Sequence, residues 1–241
     1  MIKLRRGERP KYLADDKVDN LTQRYIDSGK SVWNNKQIKQ PLMESSSNKC
    51  AYCESDLSKP GAYMEVEHFL PKSKHPSLVV KWENLLPSCK RCNGLKSDYD
   101  VSLNPIINPY DKDPTKELTF DTFCIFGSTE LGNTTVNLLD LNGEDLLGKR
   151  SFVGTVFRKE LIKLSHQCSL IKKLTLEDRN MVRSILLAAQ SNRPYSATVA
   201  TLMHISSEYK TLRQKLIDSS LWGEDMEDLH QKSLLHVLPL R

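Results

Sequence analysis

One short segment, EVEHFLP at residues 65–71, brings together two carboxylates and a histidine. Carboxylate oxygens can bind a hard cation, and a histidine can take a proton from water near neutral pH. Apolar residues alternate with the charged ones, which is typical of a β-strand. Taken alone, the segment fits a solvated edge strand with one surface histidine. The residues on either side of it therefore decide whether it does chemistry.

Two CxxC pairs flank this segment. Cys50 and Cys53 precede it, and Cys89 and Cys92 follow it. Each pair forms a tight knuckle with two thiolates, so together they offer the tetrahedral ligand set of a Zn²⁺ ion. Sulfur would fill all four positions, which predicts a structural zinc rather than a catalytic one. Unrelated core cysteines fit this spacing less well, and so does a redox motif, which occurs singly and opens a helix.

In order along the chain, CAYCE, EVEHFLPKS and WENLLPSCKRCNGLKS closely resemble the HNH, or ββα-metal, endonucleases of the subgroup with a four-cysteine zinc site. The resemblance implies that His68 is the general base and Glu67 the acidic ligand of a single divalent ion. It also implies that Asn84 braces the hairpin loop. Asn93, directly after the last cysteine, would be the ligand from the following helix.

One position departs from the family pattern, because Asp is commoner where Glu67 stands. Glu65, two positions away on the same strand face, is therefore a rival or auxiliary ligand. A regular strand would send Glu67 and His68 to opposite faces, so we expect a bulge or turn to redirect one of them. We expect the His68 ring to face solvent and to contribute little packing.

The implied chemistry is hydrolysis of a phosphodiester. A carboxylate and an amide oxygen suit Mg²⁺ or Mn²⁺, in addition to the structural Zn²⁺. The resemblance implies products with 5′-phosphate and 3′-hydroxyl ends. Lys96, one helical turn beyond Asn93, and Arg91 are the expected substrate contacts. For Lys96, a solvated helix lysine is an equally good interpretation.

The flanking sequence narrows the resemblance. The opening MIKLRRGERPKYL, with NPIINPYD and LLDLNGEDLLGKR, is similar to the PtuB family, the nuclease subunits of Septu and retron-linked anti-phage systems. This implies a toxic effector that works with an ABC- or SMC-like ATPase of the PtuA type. A retron reverse transcriptase–RNA complex is a further candidate partner. The sequence has no GxxxxGK[ST] phosphate loop, so any ATP dependence would come from a partner.

Substrate and role stay open at this point. DNA is the usual substrate of the family, and a structured RNA such as tRNA is an alternative. A catalytically inactive zinc module that only binds nucleic acid is a second candidate function. A housekeeping or mobile-element HNH nuclease is a third.

The charge distribution bears on location and partners. The net charge of +5 arises in the first 49 residues, which hold 11 Lys or Arg and 6 Asp or Glu. Such a basic segment suits either contact with phosphates or a solvated leader. No secretory segment and no run of 18 apolar residues occurs, which predicts a cytoplasmic protein with no membrane contact.

The elements that position these residues are expected to form a mainly helical α+β fold. A ββα-metal HNH core stiffened by the zinc knuckles would occupy residues 50–100. A basic leader with a short helix would occupy residues 1–49, and a loop-rich connector residues 101–150. The helical region 151–241 is expected to dock onto the partner, with the leader as a second candidate.

The helical region shows two clear patterns. Thr175 and Asp178 have the spacing of a capping box that opens a helix, and Ser196 is expected to cap one further helix that continues to Leu216. Before them, apolar residues recur at steps of three and four and predict one helical face: Val153, Phe157, Leu161, Leu164, Cys168 and Ile171.

Overall fold

The computed structural model describes residues 1–171 and 173–241 and has the predicted α+β fold, which is mainly helical. Two antiparallel hairpins lie among the helices: β1 (Met64–His68) with β2 (Leu85–Cys89), and β3 (Leu118–Asp121) with β4 (Cys124–Gly127). The α-helices in chain order are α1 (Asp15–Ser28), α2 (Lys36–Ser45), α3 (Lys90–Lys96), α4 (Glu130–Leu138), α5 (Glu144–Leu170), α6 (Leu176–Ala188), α7 (Ser196–Ile205), α8 (Ser207–Asp218) and α9 (Glu224–Leu234). Across the described residues, none of the helices is both long and apolar enough to cross a membrane.

The first hairpin and α3 form the ββα arrangement that the resemblance implies. β1 and β2 pair without interruption from Met64 opposite Cys89 to His68 opposite Leu85. The expected bulge is therefore absent from these two strands. The strand ends at His68 instead, and the chain turns immediately after it. Helix α3 follows β2 directly and packs against both strands.

The basic N-terminal segment is not a solvated leader, and this expectation was wrong. Met1 is 2% exposed and Leu4 is 7% exposed, so apolar residues between the charges anchor the segment in the core. The Arg6 guanidinium donates to the carbonyl oxygens of Trp82 and Leu85, each at 2.7 Å. Because Arg6 is used to hold the β1–β2 hairpin, it is not available to lie along phosphates.

Helices α1 and α2 lie against the β1–β2 hairpin. Of these two helices, only α1 was predicted. The buried residues that join these helices to the hairpin form one cluster. Its members are Leu13, Val32, Ile38, Leu42, Val66, Val79, Val80, Trp82 and Leu85. Burial of such side chains contributes about 1.5–3 kcal/mol each, so the N-terminal helices support the hairpin directly.

The middle of the chain is more regular than the predicted loop-rich connector. It contains the β3–β4 hairpin and α4, and α5 runs through the predicted boundary at residues 150 and 151. Arg150 is 2% exposed and donates to the carbonyl oxygens of Phe123 and Leu141. One hydrophobic core extends from Met1 through the cysteine knuckles to Leu238, so the predicted regions share a single core.

The C-terminal region confirms some of its sequence patterns and corrects others. Thr175 and Asp178 form the predicted capping box of α6. The predicted apolar face of α5 is buried at four positions, whereas Ile171 lies beyond the end of the helix and is 39% exposed. Ser196 begins α7 without capping it, and the single helix expected there is two. The side chain of Ser206 caps α8 at the break, and α9 was not predicted.

Candidate active site and metal centre

The four cysteines of the two knuckles converge. Cys50 and Cys53 lie on a turn, Cys89 ends β2, and Cys92 lies in the first turn of α3. The Cys89 sulfur accepts the backbone N–H of Cys92 at 3.4 Å, which caps the start of α3. Three separate elements therefore meet at one group of thiols.

The spacing of the sulfur atoms fits a zinc ion. All four Sγ atoms lie within 4.8 Å of one another, and those of Cys53 and Cys89 are 3.8 Å apart. Tetrahedral zinc with Zn–S bonds of about 2.3 Å requires sulfurs about 3.8 Å apart. All four are free thiols. No other group of three or more Cys, His, Asp or Glu in the described part of the chain has metal-binding geometry.

His68, the predicted base, is held at the end of β1 in a defined tautomer. Its Nε2 lies 2.9 Å from the carbonyl oxygen of Val79. A carbonyl oxygen only accepts, so Nε2 carries the hydrogen and Nδ1 is the unprotonated nitrogen. Burial, reinforced by the positive charge of Lys72, lowers the pKa of His68 to about 4 against the opposing effect of the Val79 bond. The ring is therefore neutral at pH 7, which is the form that can accept a proton.

His68 does not face solvent as expected. It is 5% exposed, and the indole ring of Trp33 packs edge-on against it at 4.7 Å between ring centroids. The ring thus contributes packing as well as chemistry, and both Trp33 and the Val79 carbonyl restrict its orientation.

Glu67, the predicted acidic ligand, forms an ion pair inside the protein. Its Oε1 lies 2.7 Å from Nζ of Lys96, and the two residues are each 1% exposed. The second carboxylate oxygen, Oε2, accepts no hydrogen bond from the described residues, so Glu67 keeps unused capacity to accept. Burial raises the pKa of Glu67 to about 7, although Lys96 favours the carboxylate.

Asn93, the predicted helix ligand, faces the same side of the hairpin. Its Nδ2 donates to Oε2 of Glu65 at 2.6 Å. Glu65 and Glu67 share one strand face, and Asn93 and Lys96 are one helical turn apart, so the two pairs lie side by side. In the structure Glu65 therefore orients the Asn93 amide.

Asn84 has the bracing position that the resemblance implies. Its side-chain oxygen accepts the backbone N–H of Leu70 at 2.7 Å. Its amide nitrogen donates to the carbonyl oxygens of Leu70 and Leu78. These three bonds close the loop between β1 and β2 and hold the chain directly after His68.

The two predicted substrate contacts lie elsewhere. The Lys96 ammonium is buried, pairs with Glu67 and donates to the backbone oxygen of His68 at 2.9 Å. Arg91 donates to the carbonyl oxygens of Leu139 and Asp140 and pairs with the Asp140 carboxylate at 2.5 Å. Both side chains are used within the protein, because each lies in α3 on a face that other elements cover.

A pocket of about 330 Å³ opens in front of these residues. It is lined by Glu67, His68 and Asn93, and also by Tyr25 and Lys72. Tyr25 and Lys72 were not expected at the site from the sequence. A basic residue in a loop and a tyrosine in an amphipathic helix carry no local signal, since only the packing of α1 against the hairpin brings them here.

The pocket offers two oxygens that could bind a hard divalent ion. Glu67 pairs through Oε1 with Lys96 while its Oε2 accepts no hydrogen bond from the described residues, and Asn93 uses its amide nitrogen on Glu65. The Asn93 oxygen accepts no hydrogen bond from the residues that the structure describes. A carboxylate and an amide oxygen are the donors that Mg²⁺ and Mn²⁺ prefer. The residues present therefore fit such an ion.

Comparison with known proteins gives two kinds of match. A family model described as HNH endonuclease matches residues 50–98. A Septu protein PtuB of Bacillus thuringiensis is 38% identical over 243 residues, covering 97% of this chain and 92% of that protein. A Septu protein PtuB of Bacillus mycoides (strain KBAB4) is 24% identical over 283 residues, covering 90% and 94%.

These matches agree with the site geometry. The HNH match covers both cysteine knuckles and every residue of the ββα unit. The similarity to the first relative extends over nearly the whole chain, including the C-terminal helices. The chain therefore belongs to the PtuB family of Septu proteins and is an HNH endonuclease.

Proposed function

We propose that this chain cleaves DNA with His68 as the general base. The observation that carries the proposal is the His68 imidazole, neutral at pH 7, with its Nε2 hydrogen committed to Val79 and its Nδ1 available. The same pocket contains a carboxylate and an amide oxygen that suit a divalent ion. Structured RNA is an alternative substrate, since these residues recognise a phosphodiester and not a base.

In the proposed reaction, His68 Nδ1 accepts a proton from water as the oxygen of that water forms a bond to phosphorus. The bond from phosphorus to the 3′-oxygen breaks and that oxygen takes a proton from solvent water, which leaves 5′-phosphate and 3′-hydroxyl ends. Val79 keeps the imidazole oriented during this transfer, and Asn84 keeps the adjoining loop closed. Glu67 and Asn93 would hold Mg²⁺ or Mn²⁺, which neutralises charge that develops on the phosphate and the departing oxygen.

The zinc is proposed to be structural. Cys50, Cys53, Cys89 and Cys92 would bind one Zn²⁺, and four thiolates leave no open position for water. The sulfur spacing described above supports this assignment. The ion would fix the start of α3 and thereby the position of Asn93.

We further propose that the chain is the toxic effector of a defence system and works with an ATPase subunit of the PtuA type in the cytoplasm. The support is membership of the PtuB family, whose curated members are named as Septu proteins. A retron reverse transcriptase–RNA complex is a second candidate partner on the resemblance alone. A housekeeping nuclease would not be expected to share nearly its full length with Septu proteins.

The ATPase is proposed to bind the C-terminal helices. A groove of about 730 Å³ between α5 and α6 is lined mainly by apolar residues, among them Phe152, Val156 and Met181. Phe152 is 70% exposed, which is unusual for a phenylalanine. Glu160, Lys163 and other polar residues edge the groove, so it suits an amphipathic helix with mixed charges.

The test of the proposed function is a cleavage assay on plasmid DNA and on structured RNA with Mg²⁺ or Mn²⁺, with and without the products of neighbouring genes. His68→Asn should lower the cleavage rate by about 10²–10⁴-fold, the usual contribution of a general base. His75→Asn is the matched control, since His75 lies in the loop that follows His68 but pairs with Asp100.

Both variants should keep the zinc content of the wild type, measured by elemental analysis. Equal cleavage rates for His68→Asn and His75→Asn would rule out His68 as the base. Tight binding of nucleic acid without cleavage under any condition would instead support the inactive binding module.

A further inference from the structure

The pocket must accept a polyanion although its walls are acidic. Glu67 and Asp98 line it, and Glu65 lies beside Asn93. A phosphodiester that enters comes close to these carboxylates, and like charges at this range repel. A divalent ion offsets part of this charge only where it is bound. Substrate binding therefore calls for a basic side chain on the wall of the pocket.

Lys72 is the one cation that meets this requirement. It is the only Lys or Arg among the described residues that line the pocket, and it is half-buried. Lys96 is 1% exposed behind Glu67, and Arg91 pairs with Asp140. No described carboxylate lies within ion-pair distance of the Lys72 ammonium. Its charge is therefore not neutralised within the protein.

The Lys72 ammonium also has a defined location. Its Nζ lies over the Trp33 ring, 5.2 Å from the ring centroid, and the same ring packs against His68. The backbone oxygen of Lys72 is 3.5 Å from the hydroxyl of Tyr25 in α1. Lys72, His68 and Glu67 line the same pocket. The ammonium is therefore held by Trp33 on the wall that also bears the base and the acidic ligand.

We propose that Lys72 is a substrate-binding residue that contacts a phosphate oxygen of the nucleic acid next to His68, and that Trp33 keeps its ammonium in place. This inference rests on the proposed function of the same pocket. A cation–π contact of this kind contributes only about 0.5–1 kcal/mol at a partly exposed site. The ring therefore positions the ammonium before substrate binds. Exchanging this contact for one with a phosphate oxygen costs little free energy.

The test compares Lys72→Met with Lys74→Met, which removes an exposed lysine two residues away that does not line the pocket. Binding is measured by fluorescence anisotropy over a range of salt concentrations, with a short DNA duplex and an RNA hairpin as probes and no added divalent ion. Lys72→Met should lower the slope of log affinity against log salt by about 1, as expected for one lost phosphate contact. Lys74→Met should leave that slope near the wild-type value.

Cleavage provides the second measurement. Lys72→Met should lower kcat/KM by about 10- to 100-fold, and Lys72→Arg should recover part of this loss because it restores the charge. Equal salt slopes and equal kcat/KM values for Lys72→Met and Lys74→Met would overturn the inference. The binding result does not depend on His68, so it holds or fails separately from the general-base assignment.

Discussion

Glu67 and Lys96 form a buried ion pair beside the pocket of the candidate active site. Removing two charges from water costs several kcal/mol per ion, and their attraction repays this only in part. The pair therefore adds little to the free energy of folding by itself. Its effect is to hold a carboxylate in a place where a cation can bind, because the Lys96 ammonium pairs with Oε1 of Glu67 and Oε2 accepts no hydrogen bond from the described residues.

Substitution of Lys96 tests this arrangement. Lys96→Met leaves the Glu67 carboxylate buried and unpaired, and should lower the free energy of unfolding by about 3–5 kcal/mol at pH 8. The pKa of Glu67 is already raised to about 7 by burial, above its value in the unfolded chain. The folded variant therefore keeps a proton that the unfolded chain releases, and its loss of stability should be smaller at pH 6 than at pH 8. Urea denaturation at both pH values measures the difference.

A double variant and a surface control complete this experiment. Lys96→Met combined with Glu67→Gln should recover most of the lost stability, because no buried charge remains. Lys90→Met, on the exposed start of the same helix, should change stability by less than about 0.5 kcal/mol. A Lys96→Met variant as stable as Lys90→Met at pH 8 would show that the pair is not buried as described.

At the scale of elements, the cysteine cluster compensates for a small hairpin. β1 and β2 have five residues each, and a two-stranded hairpin of this length is marginally stable alone. The cluster links the 50–53 turn, the end of β2 and the start of α3 at one point. We therefore expect the ββα unit to depend on the metal for its order.

We predict one zinc ion per chain, found by elemental analysis of the purified protein. Cys92→Ser removes one thiolate and should lower zinc content and the free energy of unfolding, the latter on the order of several kcal/mol. Cys124→Ser is the control, since Cys124 is half-buried on β4 and lies outside the cluster. Folded wild-type protein without zinc would contradict the assignment.

The elements differ in how far the sequence predicts them. The capping box of α6 and the apolar face of α5 follow from local patterns, and the structure has both. α2 was missed because Pro41 lies inside it, and proline normally ends a helix. The site residues from His68 to Asn93 were expected from their motif, but the burial of Lys96 was not, since it depends on contacts between α3 and the hairpin.

At the scale of the whole molecule, the nuclease unit and the C-terminal helices share one hydrophobic core. α5 crosses the boundary expected at residue 150, and Arg150 is buried within it. Truncation at residue 150 would remove most of α5 and expose this core. A truncated chain could then lose partner binding simply because it fails to fold. Substitutions on the surface of the intact chain are the sharper test.

We predict that Phe152→Glu and Val156→Glu abolish co-purification with the proposed ATPase subunit, because each introduces a charge into the apolar groove. Phe152 is 70% exposed and Val156 is 47% exposed, so zinc content and melting temperature should change little. The control is Ile162→Glu, on the same helix and 48% exposed but outside the groove. Retention of the ATPase by Phe152→Glu and Val156→Glu, at the level of Ile162→Glu, would place the partner surface elsewhere.

The contact between Arg91 and Asp140 connects the start of α5 to α3, the helix that bears Asn93. α5 has 27 residues and is a rod of about 40 Å, with Phe152 on its side and the turn that holds Arg91 just before its first residue. Arg91 lies in α3 between two cysteines of the cluster and two residues before Asn93. Two hydrogen bonds and an ion pair therefore join the turn before α5 to the short helix that bears Asn93 and Lys96. The placement of these two site residues thus depends in part on where α5 begins.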